Sequence, residues 1–256
     1  MPNLPTSNAA PQIPCKVCGG RADLFGAVDF QKSCNAAEIG ALKLSGIPIY
    51  YHKCAACGFL FTVAMDHFTQ QDFLDQVYND DYVLFDPDFR EVRPRATAHY
   101  VAQAFSNAKH ARILDFGGGN GVTARFLREL GYQQVEVYDP FVKEFATPPT
   151  GKFDLVICFE VLEHTSTPTK TFREIASYLA SPGAVLFTTL LQSPEEEKQG
   201  MNWWYVAPRN GHISIYTSRT LGYLSGSCGL KCGSFSQLVH LAFNEIPLFA
   251  RHLVGQ

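Results

Sequence analysis

Four cysteines, one glycine run, two aspartates and two histidines stand at spacings that can carry chemistry. Cys15-Lys16-Val17-Cys18-Gly19 and Cys54-Ala55-Ala56-Cys57-Gly58 each put two thiolates on a tight turn, with glycine permitting the bend. Two such knuckles supply four soft ligands, the set that suits tetrahedral Zn²⁺. The 35-residue gap between them exceeds the compact spacing of many zinc sites. A redox dithiol would need only one of the two motifs. Cys34 and His52 lie outside the knuckles and read as ordinary residues. Further on, Ile113-Leu114-Asp115-Phe116-Gly117-Gly118-Gly119-Asn120-Gly121 runs from an apolar strand through a glycine turn into a helix start. Glycines there let backbone approach a ligand and aim free helix N–H groups at it. A pyrophosphate would meet repulsion from Asp115, whereas an amino group or a sulfonium would meet attraction. A tight βα turn without a ligand is the plainer reading of the same residues.

The elements that must position these residues follow from periodicity. Arg112–Phe116 reads as a first strand, and Val122, Phe126, Leu127 and Leu130 share the apolar face of a helix over 119–130 that stops at Gly131. Val135–Tyr138 is a second strand ending in Asp139, about 20 residues beyond the glycine turn, the interval at which an acid meets a ribose in a nucleotide-binding βαβ unit. Phe141 beside it is placed to pack on an adenine face. Residues 140–152 are short for another full unit, so the third strand is expected to be rudimentary, near Phe145-Ala146-Thr147. The continuous run Leu155-Val156-Ile157 predicts a strand buried on both faces of a parallel sheet. Thr167-Pro168 opens a helix that Pro182-Gly183 ends, and Ala184–Thr189 is the next buried strand. Residues 190–212 lack periodicity but hold Trp203, Trp204 and Tyr205, an aromatic loop where α/β enzymes build substrate sites. A helix to about Ser227 and final strands from Gly229 onward complete the pattern. Before the sheet, residues 66–110 read as helical and aromatic, with a longer helix from Arg95 to Ala108.

With 46% hydrophobic residues a packed core is expected, and a formal net charge of −3 argues against a nucleic-acid binder. No apolar run reaches membrane-span length. The N-terminal residues show no secretory pattern, so a reducing cytoplasm is the expected setting for eight cysteines.

The string Asp-x-Gly-x-Gly-x-Gly over Asp115–Gly121 resembles motif I of class I S-adenosylmethionine (SAM) dependent methyltransferases. Phe153-Asp154-Leu155-Val156-Ile157-Cys158-Phe159-Glu160-Val161-Leu162-Glu163-His164 resembles motif IV of their ubiquinone-methylase-like branch. Val77–Tyr82 is similar to the tyrosine-rich segment that folds over the cofactor in many of them, although aromatics packing helices together would look the same. Gly211-His212-Ile213-Ser214-Ile215-Tyr216-Thr217 resembles a segment of sugar methyltransferases from antibiotic deoxysugar pathways, which also carry an N-terminal cysteine-ligated zinc module.

The resemblance implies an α/β fold: a Rossmann-like class I methyltransferase sheet with helices on both faces, plus a small N-terminal zinc-binding β module. Its expected divisions are a tail at 1–12, the zinc module at 13–65, a helical bridge at 66–110 and the methyltransferase domain at 111–256. It implies SAM held by Asp115, Gly117, Gly119, Asn120, Asp139, Phe141, Phe159, Glu160 and Tyr82, leaving S-adenosylhomocysteine as product. It implies Zn²⁺ on Cys15, Cys18, Cys54 and Cys57. His212 takes the place of a catalytic histidine, with His164 as second candidate for general base. The acceptor is a small molecule, a sugar or other natural product. O-methylation is favoured, because Arg209 and Asn210 stand near where sugar C-methylating members have Tyr and Glu. The competing readings are an RNA-modifying methyltransferase that uses the zinc module for recognition, and a SAM-binding protein without catalysis.

Overall fold

Two sheets divide the chain, and each reflects its own hydrophobic pattern. A computed structural model describes residues 12–35 and 43–254. The tail expected at 1–12 lies, apart from Gln12, outside the described residues.

The larger sheet forms from runs that are apolar without alternation. β5 (Arg112–Phe116) and β7 (Phe153–Cys158) hold Ile113, Leu114, Leu155, Val156 and Ile157 without exposed surface. Strands buried on both faces belong in a parallel sheet covered by helices. With β6 (Gln134–Tyr138), β8 (Leu179–Thr188), β10 (Lys231–Ser234) and β11 (Val239–Phe243) the strand order is β10-β11-β8-β7-β5-β6. β6, β5, β7 and β8 run parallel, and β11 is antiparallel to both of its neighbours, β8 and β10, so that β10 runs with the parallel set. The chain goes from β5 outward to β6, then returns to β7 on the other side of β5. The carboxyl end of β5 is therefore the topological switch point, where open α/β sheets leave a crevice for ligands.

Helices cover the faces. α4 (Val122–Glu129) buries Val122, Thr123, Ala124 and Leu127, and it packs on α3 (Val92–Ala104). α5 (Pro168–Ser177) buries Phe172 and Ile175 and meets α7 (Ser218–Ser227). Burial of one such Leu or Phe stabilises by about 1.5–3 kcal/mol. Ahead of α3 come α1 (Gln70–Gln76), closed by a Thr69–Asp72 capping box, and the single turn α2 (Tyr82–Phe85).

The smaller sheet is antiparallel: β1 (Ile13–Pro14), β2 (Arg21–Asp29), β3 (Pro48–Cys54), β4 (Leu60–Thr62) and then β9 (Ser214–Ile215). Its last strand comes from far along the chain. Leu60 pairs with Ile215 and Phe61 with Ser214.

Three expectations are corrected. Among the described residues no strand forms between Asp139 and Lys152; Asp139 N–H donates to the Phe145 carbonyl and Phe145 N–H to that of Val142, closing a compact turn. Prolines 140, 148 and 149 lack the N–H a ladder needs. Pro182-Gly183 does not separate a helix from a strand, because β8 already begins at Leu179. The Asn244 side chain holds the irregular stretch by accepting from Gly183 N–H (2.9 Å) and donating to the Ala180 carbonyl (2.7 Å). The loop at 190–212 contains the capped helix α6 (Pro194–Gln199) and turns inward, burying Trp203, Tyr205, Arg209 and Asn210.

Candidate active site and metal centre

The four knuckle thiols converge. Cys15 Sγ lies 3.7 Å from Cys57 Sγ and Cys18 Sγ 3.5 Å from Cys54 Sγ, and all four sulfurs fall within 4.8 Å of one another. A tetrahedral ion at about 2.3 Å from each sulfur sets sulfurs about 3.8 Å apart, so the residues present fit a metal held by four thiolates. Backbone N–H groups of Val17 and Cys57 point at Cys15 and Cys54 sulfur (3.4 and 3.5 Å), which favours thiolate. Gly19 and Gly58 both take positive φ (72° and 78°), the left-handed geometry that each knuckle turn needs.

The glycine turn follows β5 at the switch point. Gly117, Gly119 and Gly121 have φ of 73°, 54° and 74°. A Cβ on Gly117 would collide with the Val161 side chain, and one on Gly118 would sit 2.6 Å from Asp115 Oδ2. The backbone thus lies directly on the motif IV turn and on the acid. Asp115 is turned beneath the loop, 4% exposed, and Oδ2 has no hydrogen-bond partner among the described residues. Burial first, then the Asp139 charge, pushes its carboxyl up to about 7. Asp139 closes β6 and faces the loop. Its Oδ2 accepts from Gly119 N–H at 2.9 Å and its Oδ1 from Phe141 N–H at 2.8 Å. Phe141 is partly exposed and meets Phe73 and Tyr78 edge-on, while Asn120 is exposed, its amide 3.5 Å from the Arg90 carbonyl.

At the carboxyl end of β7, Glu160 is the described non-glycine residue with positive φ (56°). Such a conformation costs on the order of 1–3 kcal/mol and gathers at functional sites. Thr188 Oγ1 accepts its N–H at 3.0 Å, and Arg93 Nη1 approaches its carboxylate at 3.3 Å while also pairing with Asp86. Phe159 beside it is half-buried against Tyr100.

One turn later, Glu163 and His164 meet His212. The imidazole centroids are 5.0 Å apart, and one ligand atom from each of the three residues lies within 4.8 Å of the others. His212 Nδ1 donates to the Tyr205 carbonyl at 2.9 Å, which leaves its Nε2 with an open lone pair. Burial pulls His212 down to about 4 and holds His164 well below the usual imidazole range. Burial likewise raises Glu163 to about 8.

The segment carrying His212 is tied on both sides. Tyr51 O–H donates to the His212 carbonyl (2.7 Å) and Thr62 N–H to that of Ile213 (3.1 Å), both from the cysteine-bearing sheet. From the motif IV side, Ile213 N–H donates to the Glu163 carbonyl, and Ser214 and Tyr216 hydroxyls donate to those of Thr165 and Leu162. Thr217 and Thr220 hydroxyls then donate to the Cys57 carbonyl at 2.7 and 3.0 Å, so the start of α7 rests on the second knuckle.

The structure brings His212 and His164 together, and the glycine loop to Asp139. Tyr82 lies apart from the loop: it is buried, with its hydroxyl 3.4 Å from both Asp86 and the Asn210 carbonyl. Sequence reasoning missed Glu163, Tyr205, Arg93 and Asp86. Glu163 alone had a local signal, its adjacency to His164. Arg209 and Asn210 act as clamps. Arg209 donates to the Val77 carbonyl and to Asn79 and lies 3.9 Å over the Phe85 ring, while Asn210 accepts from Cys34 N–H.

A largely parallel sheet with a glycine turn at its switch point, an acid closing the neighbouring strand and one reversed strand, β11, set next to the edge strand define the class I methyltransferase fold. A family model described as a methyltransferase domain matches residues 77–232. That is more than half of the chain, and the chain belongs to this family. It is similar to the ubiquinone biosynthesis O-methyltransferase of Xanthomonas oryzae pv. oryzae, 31% identical over 107 residues that cover 33% of this chain and 45% of that protein. It is also similar to the protein of that name from Escherichia coli O7:K1, 26% identical over 127 residues, covering 41% and 50%. The chain spans about half the length of the curated relatives it matches. Among solved structures it is similar to CalO1, a methyltransferase in calicheamicin biosynthesis with SAH bound (TM-score 0.49, 15% identity, 70% of this chain and 62% of that one). Human N-acetylserotonin methyltransferase in complex with SAM is similar at TM-score 0.49 and 16% identity, covering 69% and 62%.

Proposed function

We propose that the protein transfers the methyl group of SAM to a small-molecule acceptor, with oxygen as the favoured acceptor atom. The observation that carries this reading is the glycine turn at the switch point, with Asp115 beneath it and Asp139 bonded to it. Backbone N–H groups and two carboxylates in that arrangement suit an amino-acid-bearing sulfonium nucleoside. On this reading Gly117, Gly119 and Asn120 run beside the methionine and ribose portion. Asp139 retains lone pairs for ribose hydroxyls, and Phe141 and Phe159 offer apolar surface to the adenine and its surroundings. Glu160, aimed by its backbone conformation, stands toward the methionine end, with Tyr82 supporting the segment that covers it. The relatives named for O-methylation support oxygen over carbon.

Methyl transfer asks little of the protein beyond alignment, because the sulfonium carbon is already activated. The acceptor hydroxyl must lose a proton, and His212 Nε2 offers a lone pair for that, with His164 next to it. The four-cysteine centre holds zinc on this reading. It supplies no step of the transfer; it fixes the sheet whose last strand follows His212.

The test combines calorimetry with a radiolabel transfer assay against hydroxylated small molecules. Wild type binds SAM, Asp139→Ala lowers that affinity at least tenfold, and His212→Ala keeps it while losing transfer. Wild-type turnover by His212→Ala would remove the histidine from the chemistry. No SAM binding by the wild type would end the methyltransferase reading.

A further inference from the structure

The histidine pair His164 and His212 has a third member, Glu163. Glu163 is fully buried, and Oε2 has no partner among the described residues. The same holds for His164 Nδ1. Leaving such groups unsatisfied is costly, and two of them within one cluster of potential ligands call for a partner. We propose that these three side chains form a site for a borderline divalent cation, separate from the four-cysteine centre.

The donor set is two imidazoles and one carboxylate, which suits first-row cations such as Zn²⁺, Fe²⁺ or Co²⁺ and leaves coordination positions open. Ligands around a cation at about 2.1 Å stand roughly 3–3.5 Å apart, so atoms within 4.8 Å need only side-chain rotation to close on it. The surrounding bonds orient the ligands. Leu190 N–H donates to Tyr205 Oη (3.1 Å), so the Tyr205 hydroxyl proton is directed to Glu163 Oε1 (2.6 Å). Oε1 is thereby occupied and Oε2 is free. The same tyrosine's carbonyl takes the His212 Nδ1 proton and frees Nε2. One residue fixes two ligands, as outer-shell partners of metal sites do.

The site's place in turnover rests on the methyl-transfer reading. With a cation bound, His164 and His212 would be ligands rather than proton acceptors, so the general-base role proposed for His212 would belong to the cation-free site. Binding the cation does not depend on SAM.

The experiment loads the full chain with zinc at the cysteine centre and then titrates Co²⁺. We expect one cobalt per chain beyond the zinc, with weak visible d–d absorption and no thiolate charge-transfer band. Tyr205→Phe weakens cobalt binding by roughly 10–100-fold, and the isosteric Glu163→Gln and the variant His212→Gln weaken it further. Failure of the zinc-loaded chain to take up cobalt overturns the proposal, as does equal uptake by Glu163→Gln and wild type. If His212→Gln fails to fold, Glu163→Gln decides. SAM calorimetry on the same samples separates the two ideas. Cobalt uptake without SAM binding sinks the methyltransferase reading alone, and SAM binding without cobalt uptake sinks the cation site alone.

Discussion

The two sheets reach order by different routes. The six-stranded sheet buries both faces of its central strands under helices, and its interior is continuous from Ile113 through Leu155 and Leu186 to Leu241. It needs no cross-link. The five-stranded sheet has much less to bury. Leu24 on β2 and Tyr50 on the central strand β3 stay exposed, and its apolar cluster borrows Trp203, Tyr205 and Ile215 from beyond residue 200. A core that small is held by a staple, here the four thiols. Where hydrophobic burial suffices, the chain carries the cofactor-side loop. Where it does not, the convergence of four thiols fixes the sheet whose last strand follows His212. On the proposed reading, cofactor handling and acceptor handling therefore rest on separate sources of stability.

The largest way to break that comparison is Cys54→Ser. Structural zinc is worth about 10–16 kcal/mol in small zinc domains, so loss of the zinc proposed on these thiols should unfold the smaller sheet, release β9 and abolish transfer. SAM affinity should stay within a few-fold, read by calorimetry beside the transfer assay. Parallel loss of both would show that the two halves are one unit. Next in size is Leu127→Ala, on the fully buried face of α4. It should cost about 2–5 kcal/mol of global stability by denaturant unfolding and leave zinc content at one per chain. Zinc loss at denaturant concentrations below the unfolding transition would contradict the separation.

The smallest effect concerns pH. Asp115 in the fold titrates near 7, above its unfolded value of 3.8, chiefly through burial, with Asp139 adding to the shift and Arg128 opposing it. The folded chain binds the extra proton across that window, so the ligand-free protein loses this increment of stability as pH rises from about 4 to about 7. A cationic ligand reverses the preference. SAM affinity should rise about tenfold between roughly pH 6 and 8 in wild type, and Asp115→Asn should flatten that rise. An equal slope in the variant would assign the titration elsewhere.

What could be read from the sequence was local. The glycine turn, the knuckles and the run Leu155-Val156-Ile157 announce themselves because a few consecutive residues specify one backbone path. The pairing of Phe61 with Ser214 had no such signal, since a two-residue strand has no periodicity. Glu163 was read as part of a motif and passed over as a site residue; its meaning appears only when His212, 49 positions later, folds beside it. Arg93 left no trace either, because its two carboxylate partners, Asp86 and Glu160, are brought together only by α3 packing near β7. The expected third strand failed for a legible reason: prolines at 140, 148 and 149 flank it on both sides and leave no donors to extend a ladder.

The pairing of β4 with β9 also sets an order of events during synthesis. Leu60 leaves the ribosome 155 positions before its partner Ile215. At about 5–20 residues per second that interval is roughly 10–30 seconds. All four thiols exist by residue 57, yet the edge of their sheet stays open until the far strand arrives. The nascent chain thus spends that time with a metal-competent but unsealed module, and the last step of folding at the N-terminal end is written near the C-terminal one.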